Sequence, residues 1–301
     1  MITKTPLSYT DDYWININTS DKETLTKLYQ DYAIDEEIVA YSLDKNERAH
    51  LDYDKSTNTF VLIFNVPKLE KIDDHYETIP MTFIVKDTHL ITVTNETNQH
   101  IFYEMKKFLE KNQELTIFDF LFGSLFMIVD LFFPFVEEMN NDRKRINNKL
   151  KEKTTKQNLL LLSDLETGIV YFVSASKQNV MLLEQVKTHY IHRLLNENER
   201  EELEDVLIEA KQLVEMTQLS SQILQQLSGT YNNVLNNNLN DTMKILTVLS
   251  ILLTIPTIIS GFFGMNMPLP LEHNVFGWLI TIVISVILWF GLSLILRKLM
   301  K

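Results

Sequence analysis

Six small or hydroxyl-bearing residues, Thr247, Ser250, Thr254, Thr257, Gly261 and Gly264, follow one another at steps of three, four, three, four and three. At 3.6 residues per helical turn, that spacing keeps them on one side of a helix. Just beyond them, Met265 and Asn266 end the run with a side-chain amide. Asn240 extends the same face towards the N-terminus, preceded by Asn232, Asn233, Asn236, Asn237 and Asn238. The other side carries Ile245, Val248, Leu249, Leu252, Ile255, Ile259 and Phe262. A row of neutral oxygens suits a hydrated cation, since it can accept hydrogen bonds from the ion's water without holding it as tightly as a ring of carboxylates. Close helix packing through small residues is the competing reading of the stripe. The Asn-rich approach also fits a solvated, weakly helical surface.

The elements that must position these residues are set by length and solvation. No charged side chain occurs from Ile245 to Leu271 or from Phe276 to Leu296. A hydrocarbon layer of about 30 Å needs about 20 apolar residues in helical form, because backbone polar groups in lipid must pair within the segment. Two spans are therefore expected, at about 245–264 and 276–296. Lys244 precedes the first, Arg297, Lys298 and Lys301 follow the second, and the connecting loop carries only Glu272. The positive-inside rule then puts both termini in the cytoplasm and the loop outside, as in a multi-pass protein of the cell membrane. The opening MITKTPLSYTDDYW has no apolar signal-peptide core. A plain membrane anchor is the alternative, and it leaves the stripe without a purpose.

Residues 1–244 contain 25 Lys and Arg against 39 Asp and Glu, a net charge of −14, and the chain has no cysteine. That acidity argues against nucleic acid and suits a cation-attracting surface, although an ordinary acidic cytosolic domain looks the same. No disulfide or thiolate metal site is available. The seven glycines are scattered and none belongs to a phosphate-binding loop, so no nucleotide is expected. Acids and histidines are dispersed, and no nucleophile and base stand together as an enzyme would need.

Short β-rich runs, Trp14–Ile17, Thr59–Val66, Met81–Val85 and Leu90–Thr94, alternate with helical patterns near Lys22–Tyr32 and Glu36–Leu43. They predict a mixed α/β cytoplasmic domain over 1–112. Residues 113–244 then form a helical cytoplasmic region, and 245–301 a transmembrane hairpin with a basic tail. Pro134 and Pro256 bracket a proline-free stretch. Leu115–Val136 is strongly apolar but interrupted by Asp119 and Asp130, with Pro134 expected to end it, so a buried or interface helix is favoured over a third span. From about Asn198, apolar residues recur at three- and four-residue spacing, from Leu203, Val206, Leu207, Ala210, Leu213 and Val214 to Leu227, Tyr231, Val234 and Leu235. Run without a break to Phe263, such a helix would be about 100 Å long and would need neighbours, from self-association or from a partner segment such as Lys177–Leu194. His189 and His192 stand at i, i+3 spacing, which on a charged helix reads as two surface residues before it reads as a metal pair.

Taken together, Met243-Lys244-Ile245-Leu246-Thr247, the mid-helix Pro256-Thr257, Gly261, and Gly264-Met265-Asn266 before a short loop and a last span resemble the CorA family of divalent-cation transporters. The chain order agrees over the whole length. The resemblance implies an α+β protein with a long helical stalk and two C-terminal transmembrane helices, assembled as a funnel-shaped homopentamer whose first spans line the pore. Gly264, Met265 and Asn266 would form the selectivity entrance, with Asn266 meeting hydrated Mg²⁺ through its water. Asn240, Met243, Leu246, Thr247, Ser250, Thr254, Thr257 and Gly261 would line the path, with Leu246 and Met243 as its constriction. Mg²⁺ would be both substrate and regulatory ligand, Co²⁺ and Ni²⁺ secondary ions, and no prosthetic group is implied.

The sequence also departs from the family. Gly229 stands two positions before Tyr231, where an acidic residue is common, so the regulatory ligands stay unassigned. The loop Met267-Pro268-Leu269-Pro270-Leu271-Glu272-His273 lacks the Met-Pro-Glu-Leu pattern. Thr254 replaces a bulkier apolar residue, which weakens a hydrophobic gate at that level. A zinc transporter of the same superfamily, by efflux or proton coupling, and a non-transporting membrane scaffold remain as alternatives, and Met265 favours Mg²⁺ over the zinc branch.

Overall fold

The computed structural model of the chain describes residues 2–7, 11–19, 31–112, 114–265 and 275–299. It divides into two compact units, Met1–Gly229 and Thr230–Lys301.

The first unit is built on a six-stranded sheet with β1 (Ile2–Pro6), β2 (Tyr13–Asn18), β3 (His50–Asp54), β4 (Thr59–Pro67), β5 (Thr78–Lys86) and β6 (His89–Thr94) in the order β1-β2-β6-β5-β4-β3. Only β2 and β6 run parallel; the other pairs are antiparallel. The parallel register is pinned by a buried polar ladder. Trp14 Nε1 donates to Thr92 Oγ1 at 2.9 Å, Thr92 Oγ1 donates to Asn16 Oδ1 at 2.8 Å, and Asn16 Nδ2 donates to Thr94 Oγ1 at 3.0 Å. Each buried donor finds an acceptor here, so a slip of one residue would strand several polar groups at once.

The two faces of the sheet carry different apolar sets. Ile15, Ile17, Val61, Ile84 and Ile91 form one cluster with Ile34, Ile38 and Val39, and so α1 (Glu36–Leu43) covers that face. On the other, Trp14 lies 5.2 Å, ring to ring, from Phe102 of α2 (Gln99–Lys111) and from Phe120 of α3 (Ile117–Asp130). Covered on both sides, β4 is buried along all nine residues, which explains its continuous apolar reading. The helical pattern near Lys22–Tyr32 lies almost wholly outside the described residues.

The apolar run Leu115–Val136 becomes the largely buried helix α3 and the start of α4 (Phe132–Glu152), which is buried along one side, with Leu131 between them. The expectation that Pro134 ends the run is corrected. Pro134 lies in the first turn of α4, where backbone N–H groups have no partner to lose, so proline opens the second helix. Asp119 has a local reason to interrupt the apolar run, since it completes a capping box with Thr116. A second reciprocal pair, Asn196 with Glu199, starts the long helix α6 (Glu197–Phe263), and Thr116 Oγ1 donates to Glu199 Oε1 at 2.7 Å to tie the two helix starts together. Burial raises the pKa of nearby Glu202, with Asp119, Asp205 and Glu201 adding repulsion.

Helix α5 (Lys156–Thr188) lies against α4 and the sheet. Asn179 closes a buried reciprocal bond with β4, accepting from Asn65 N and donating to Asn65 O, both at 2.9 Å. Helix α5 pairs antiparallel with the first part of α6 through Lys187–Glu204, Glu184–Lys211 and Ser176–Thr217. A 3-10 turn (Tyr190–Arg193) joins them. His189 Nδ1 accepts from Ile191 N, and its ring lies edge-on to Tyr53 at 5.2 Å, so its place is explained by capping and packing.

The second unit contains the last part of α6, with Pro256 inside it, and α7 (Gly277–Leu299). Among the described residues four helical stretches are long and apolar enough to cross a membrane, and burial separates them. The apolar windows of Ile117–Glu152 and Lys156–Thr188 are 56% and 39% buried, whereas those of α6 and α7 are 0% buried.

Candidate functional site

The surface of α6 beyond Gly229 is divided lengthwise. Val248, Leu252, Ile255, Ile259 and Phe263 are half-buried and recur at steps of four, three, four and four. On α7 the covered positions include Gly277, Thr281, Ser285, Leu292 and Leu296. Leu296 lines a groove with Val248 and Ile251, and with Asn240, Met243 and Thr247 at one end of the stripe. The half-buried side of α6 thus lies opposite the stripe.

The stripe is left open. Asn240, Met243, Leu246, Thr247, Ser250, Thr254, Thr257, Gly261, Gly264 and Met265 are all exposed. Met243 and Leu246, with 57% and 63% of their surface exposed, form its apolar lower end. Asn266 and the loop through His273, with Glu272, lie outside the described residues. The structure therefore brings the predicted lining residues onto one surface, up to Met265.

The hydroxyls show a chemistry that spacing alone does not reveal. Thr247 Oγ1 donates to Met243 O at 2.8 Å, Ser250 Oγ to Leu246 O at 2.9 Å, Thr254 Oγ1 to Ile251 O at 2.7 Å and Thr257 Oγ1 to Leu253 O at 2.8 Å. Each hydroxyl hydrogen is thus committed to the helix's own backbone, as is common for Ser and Thr inside apolar helices. What remains outward is oxygen lone pairs, so the stripe is a row of acceptors. Such a row matches the outward-pointing hydrogens of water bound to a cation.

The glycines widen the upper part of this face. A Cβ added at Gly261 would meet nothing within 4 Å, whereas at Gly264 it would stand 3.0 Å from Ser260 O. Gly261 thus keeps the surface low, and Gly264 lets the helix end tightly, with its N–H bonded to Ser260 O at 2.9 Å and Met265 N to Phe262 O at 3.4 Å. At the other end, Gly229 opens onto free space, while Tyr231 is buried with its hydroxyl pKa raised by that burial. Among the described residues, no three of His, Asp or Glu are grouped to hold a metal ion within one chain.

The profile of the family described as CorA-like Mg2+ transporter protein matches residues 11–298. The chain is 23% identical over 288 residues to the cobalt/magnesium transport protein CorA of Methanocaldococcus jannaschii, covering 92% of this chain and 89% of that protein. It superposes on the complete structure of the CorA magnesium transporter from the same organism with a TM-score of 0.79 at 22% identity, over 97% of this chain and 91% of that one. The full-length CmaX protein gives 0.71 at 10% identity, over 95% and 88%. These likenesses establish a shared fold from the sheet to the last helix.

Proposed function

The chain belongs to the family of CorA-like Mg2+ transporter proteins, and we propose that it is a passive, channel-like route for Mg²⁺ uptake, with Co²⁺ and Ni²⁺ as secondary ions. Transport of divalent cations follows from the family. The choice of Mg²⁺, the pore and its regulation are the finer reading. In it, α6 and α7 cross the cell membrane from a cytoplasmic N-terminal unit, the C-terminus is also cytoplasmic, and copies of the chain gather as a homopentamer about a common axis.

One observation carries this reading. Helix α6 is half-buried along one side and exposes a continuous acceptor stripe on the other. A stripe of oxygens is poorly served by lipid, which offers it no hydrogen. Turned towards an axis shared by several copies, the same stripe borders a narrow aqueous path.

The mechanism then follows from Mg²⁺ chemistry. The ion is small, prefers six oxygens and gives up water reluctantly, so an entrance of neutral oxygens selects it as a hydrated ion. Asn266, with Gly264 and Met265, supplies that entrance. Below it, Thr257, Thr254, Ser250 and Thr247 pass the hydrated ion from acceptor to acceptor, and Asn240 receives it at the cytoplasmic end. Met243 and Leu246 form the constriction that closes by excluding water. An inside-negative potential contributes about 4.6 kcal/mol per 100 mV to entry of a divalent ion, so neither nucleotide nor proton gradient is required. Internal Mg²⁺ bound among the carboxylates of the acidic N-terminal unit supplies the feedback.

An Asn266→Ala variant tests the entrance. Mg²⁺ uptake into proteoliposomes should fall at least about tenfold, the equivalent of ~1.4 kcal/mol at the barrier. Unchanged uptake would remove Asn266 from the entrance, no uptake by the unaltered protein would favour a non-transporting scaffold, and uptake that appears only under a pH gradient would favour the proton-coupled zinc branch.

A further inference from the structure

The chain is strongly acidic, yet residues 143–156 hold seven basic side chains, Arg143, Lys144, Arg145, Lys149, Lys151, Lys153 and Lys156, against the single acid Glu152. They form the end of α4 and the turn into α5. Arg145 pairs with Asp142. Lys144, Lys149, Lys151, Lys153 and Lys156 are exposed.

Helix electrostatics account for part of this cluster only. Lys149 and Lys151 lie in the last turn of α4, where a cation is favoured by the partial negative charge of the helix end. Lys153 is the residue that caps α4, and Lys156 opens α5, whose first turn contains no acidic residue. Cations there face the positive end of the helix dipole, and the placement works against the stability of α5. The cluster as a whole is better explained by an anionic surface outside the chain.

The geometry of the first unit says which end of it carries that charge. The pairs Lys187–Glu204, Glu184–Lys211 and Ser176–Thr217 make α5 antiparallel to α6. The α4–α5 turn is therefore at the end of the first unit from which α6 leaves it. We propose that this turn is a membrane-contact site that binds the headgroups of anionic phospholipids through Lys149, Lys151, Lys153 and Lys156. Lys and Arg side chains near an anionic membrane surface are attracted to it at about 1 kcal/mol each, which is roughly fivefold in binding per residue. The acidic remainder of the first unit is repelled by the same lipid, so contact is confined to the turn. It is an electrostatic strut between the first unit and the bilayer.

The inference rests on the membrane-spanning reading of α6 and α7, and its test separates the two. Because the chain has no cysteine, a Gln157→Cys variant of the full-length protein takes a single fluorescent label beside the turn. The protein is inserted into nanodiscs of phosphatidylcholine alone or with about one-third phosphatidylglycerol, each with an acceptor dye on a lipid headgroup. Energy transfer is expected to rise with phosphatidylglycerol, with a docked-to-free ratio at least about tenfold higher than in neutral discs. Molar salt, or the changes Lys149→Glu, Lys151→Glu, Lys153→Glu and Lys156→Glu together, should return it to the neutral-disc value. Should the fourfold variant not insert, the lipid and salt comparisons on the Gln157→Cys protein decide alone. Equal transfer in both lipids overturns the inference while leaving the spans intact, and failure of the protein to enter discs at all overturns the spanning reading instead. Salt-sensitive transfer that ignores lipid charge, or competition by a short RNA in neutral discs, would assign the turn to another chain or a nucleic acid and overturn the inference as well.

Discussion

The two parts of α6 obey different rules. Before Gly229, its buried residues Leu203, Val206, Leu207, Ala210, Leu213 and Leu224 face the rest of the first unit, and its exposed positions are mostly charged or amide-bearing. Beyond it, Ile245, Leu249, Leu253 and Ile258 are 53% to 69% exposed, and Thr247, Ser250, Thr254 and Thr257 line up as one exposed stripe among them. The first pattern is complete within one chain. The second inverts the usual arrangement, and on the proposed reading lipid and further copies of the chain complete it. A single helix would then record both a folding requirement and an assembly requirement, and a perturbation should fall on stability in one part and on transport in the other.

The largest expected effect sharpens that contrast. Phe172 is fully buried, with Phe132 5.1 Å away and Phe135 6.1 Å away, ring to ring. Phe172→Ala should cost about 3–5 kcal/mol of stability. Phe262→Ala, at a ring half exposed in the second unit, should leave the melting of the purified protein nearly unchanged. Equal losses would erase the distinction.

A smaller effect tests the stripe against its own helix. Thr254→Val keeps the shape of the side chain but removes the oxygen, and Mg²⁺ flux should fall about fivefold for one lost hydrogen bond of ~1 kcal/mol. Ser260 makes the same kind of backbone bond, to Thr257 O at 3.2 Å, but lies off the stripe. Ser260→Ala should not change flux. Equal responses would show that back-bonding in the helix, and not the outward lone pairs, matters.

The smallest effect concerns the first unit alone. The carboxyl of Glu202 is pushed up by burial and by Asp119, Asp205 and Glu201, so the folded protein holds that proton to higher pH than the unfolded chain. The resulting stability is fully present below the unfolded value and is lost as pH rises through the folded one. Glu202→Gln should therefore raise the melting temperature at pH 7, and the difference should vanish towards about pH 4. A variant that is less stable at pH 7 would mean that the charge is favourably paired.

Much of this was legible in the sequence because periodicity reports burial. The strands β2, β4, β5 and β6 and the helix α1 stood out by their apolar runs. The edge strands β1 and β3 did not, since ITKTP and HLDYD carry polar residues where one face meets water. Pro134 misled because proline punctuates a helix at its first turn as well as at its end. Asp119 read as an interruption because its reason is a backbone cap, which depends on Thr116 three positions earlier. The stripe from Asn240 to Gly264 was legible by spacing alone. Its direction was not, because which side of α6 is half-buried is set by packing and not by spacing. The commitment of each hydroxyl hydrogen likewise depends on side-chain rotamers that no spacing specifies. Asn266, the proposed entrance residue, is identified by its place after Gly264 and Met265.

The central claim is that copies of α6 enclose a path which a hydrated divalent cation crosses on the membrane potential alone. Purified protein in liposomes, with an internal Mg²⁺ indicator and an imposed potassium diffusion potential, measures this directly. The account predicts Mg²⁺ entry that increases with inside-negative potential, without nucleotide or pH gradient, and that slows as internal Mg²⁺ accumulates. No entry at any potential, from protein shown to be inserted in the bilayer, would contradict it.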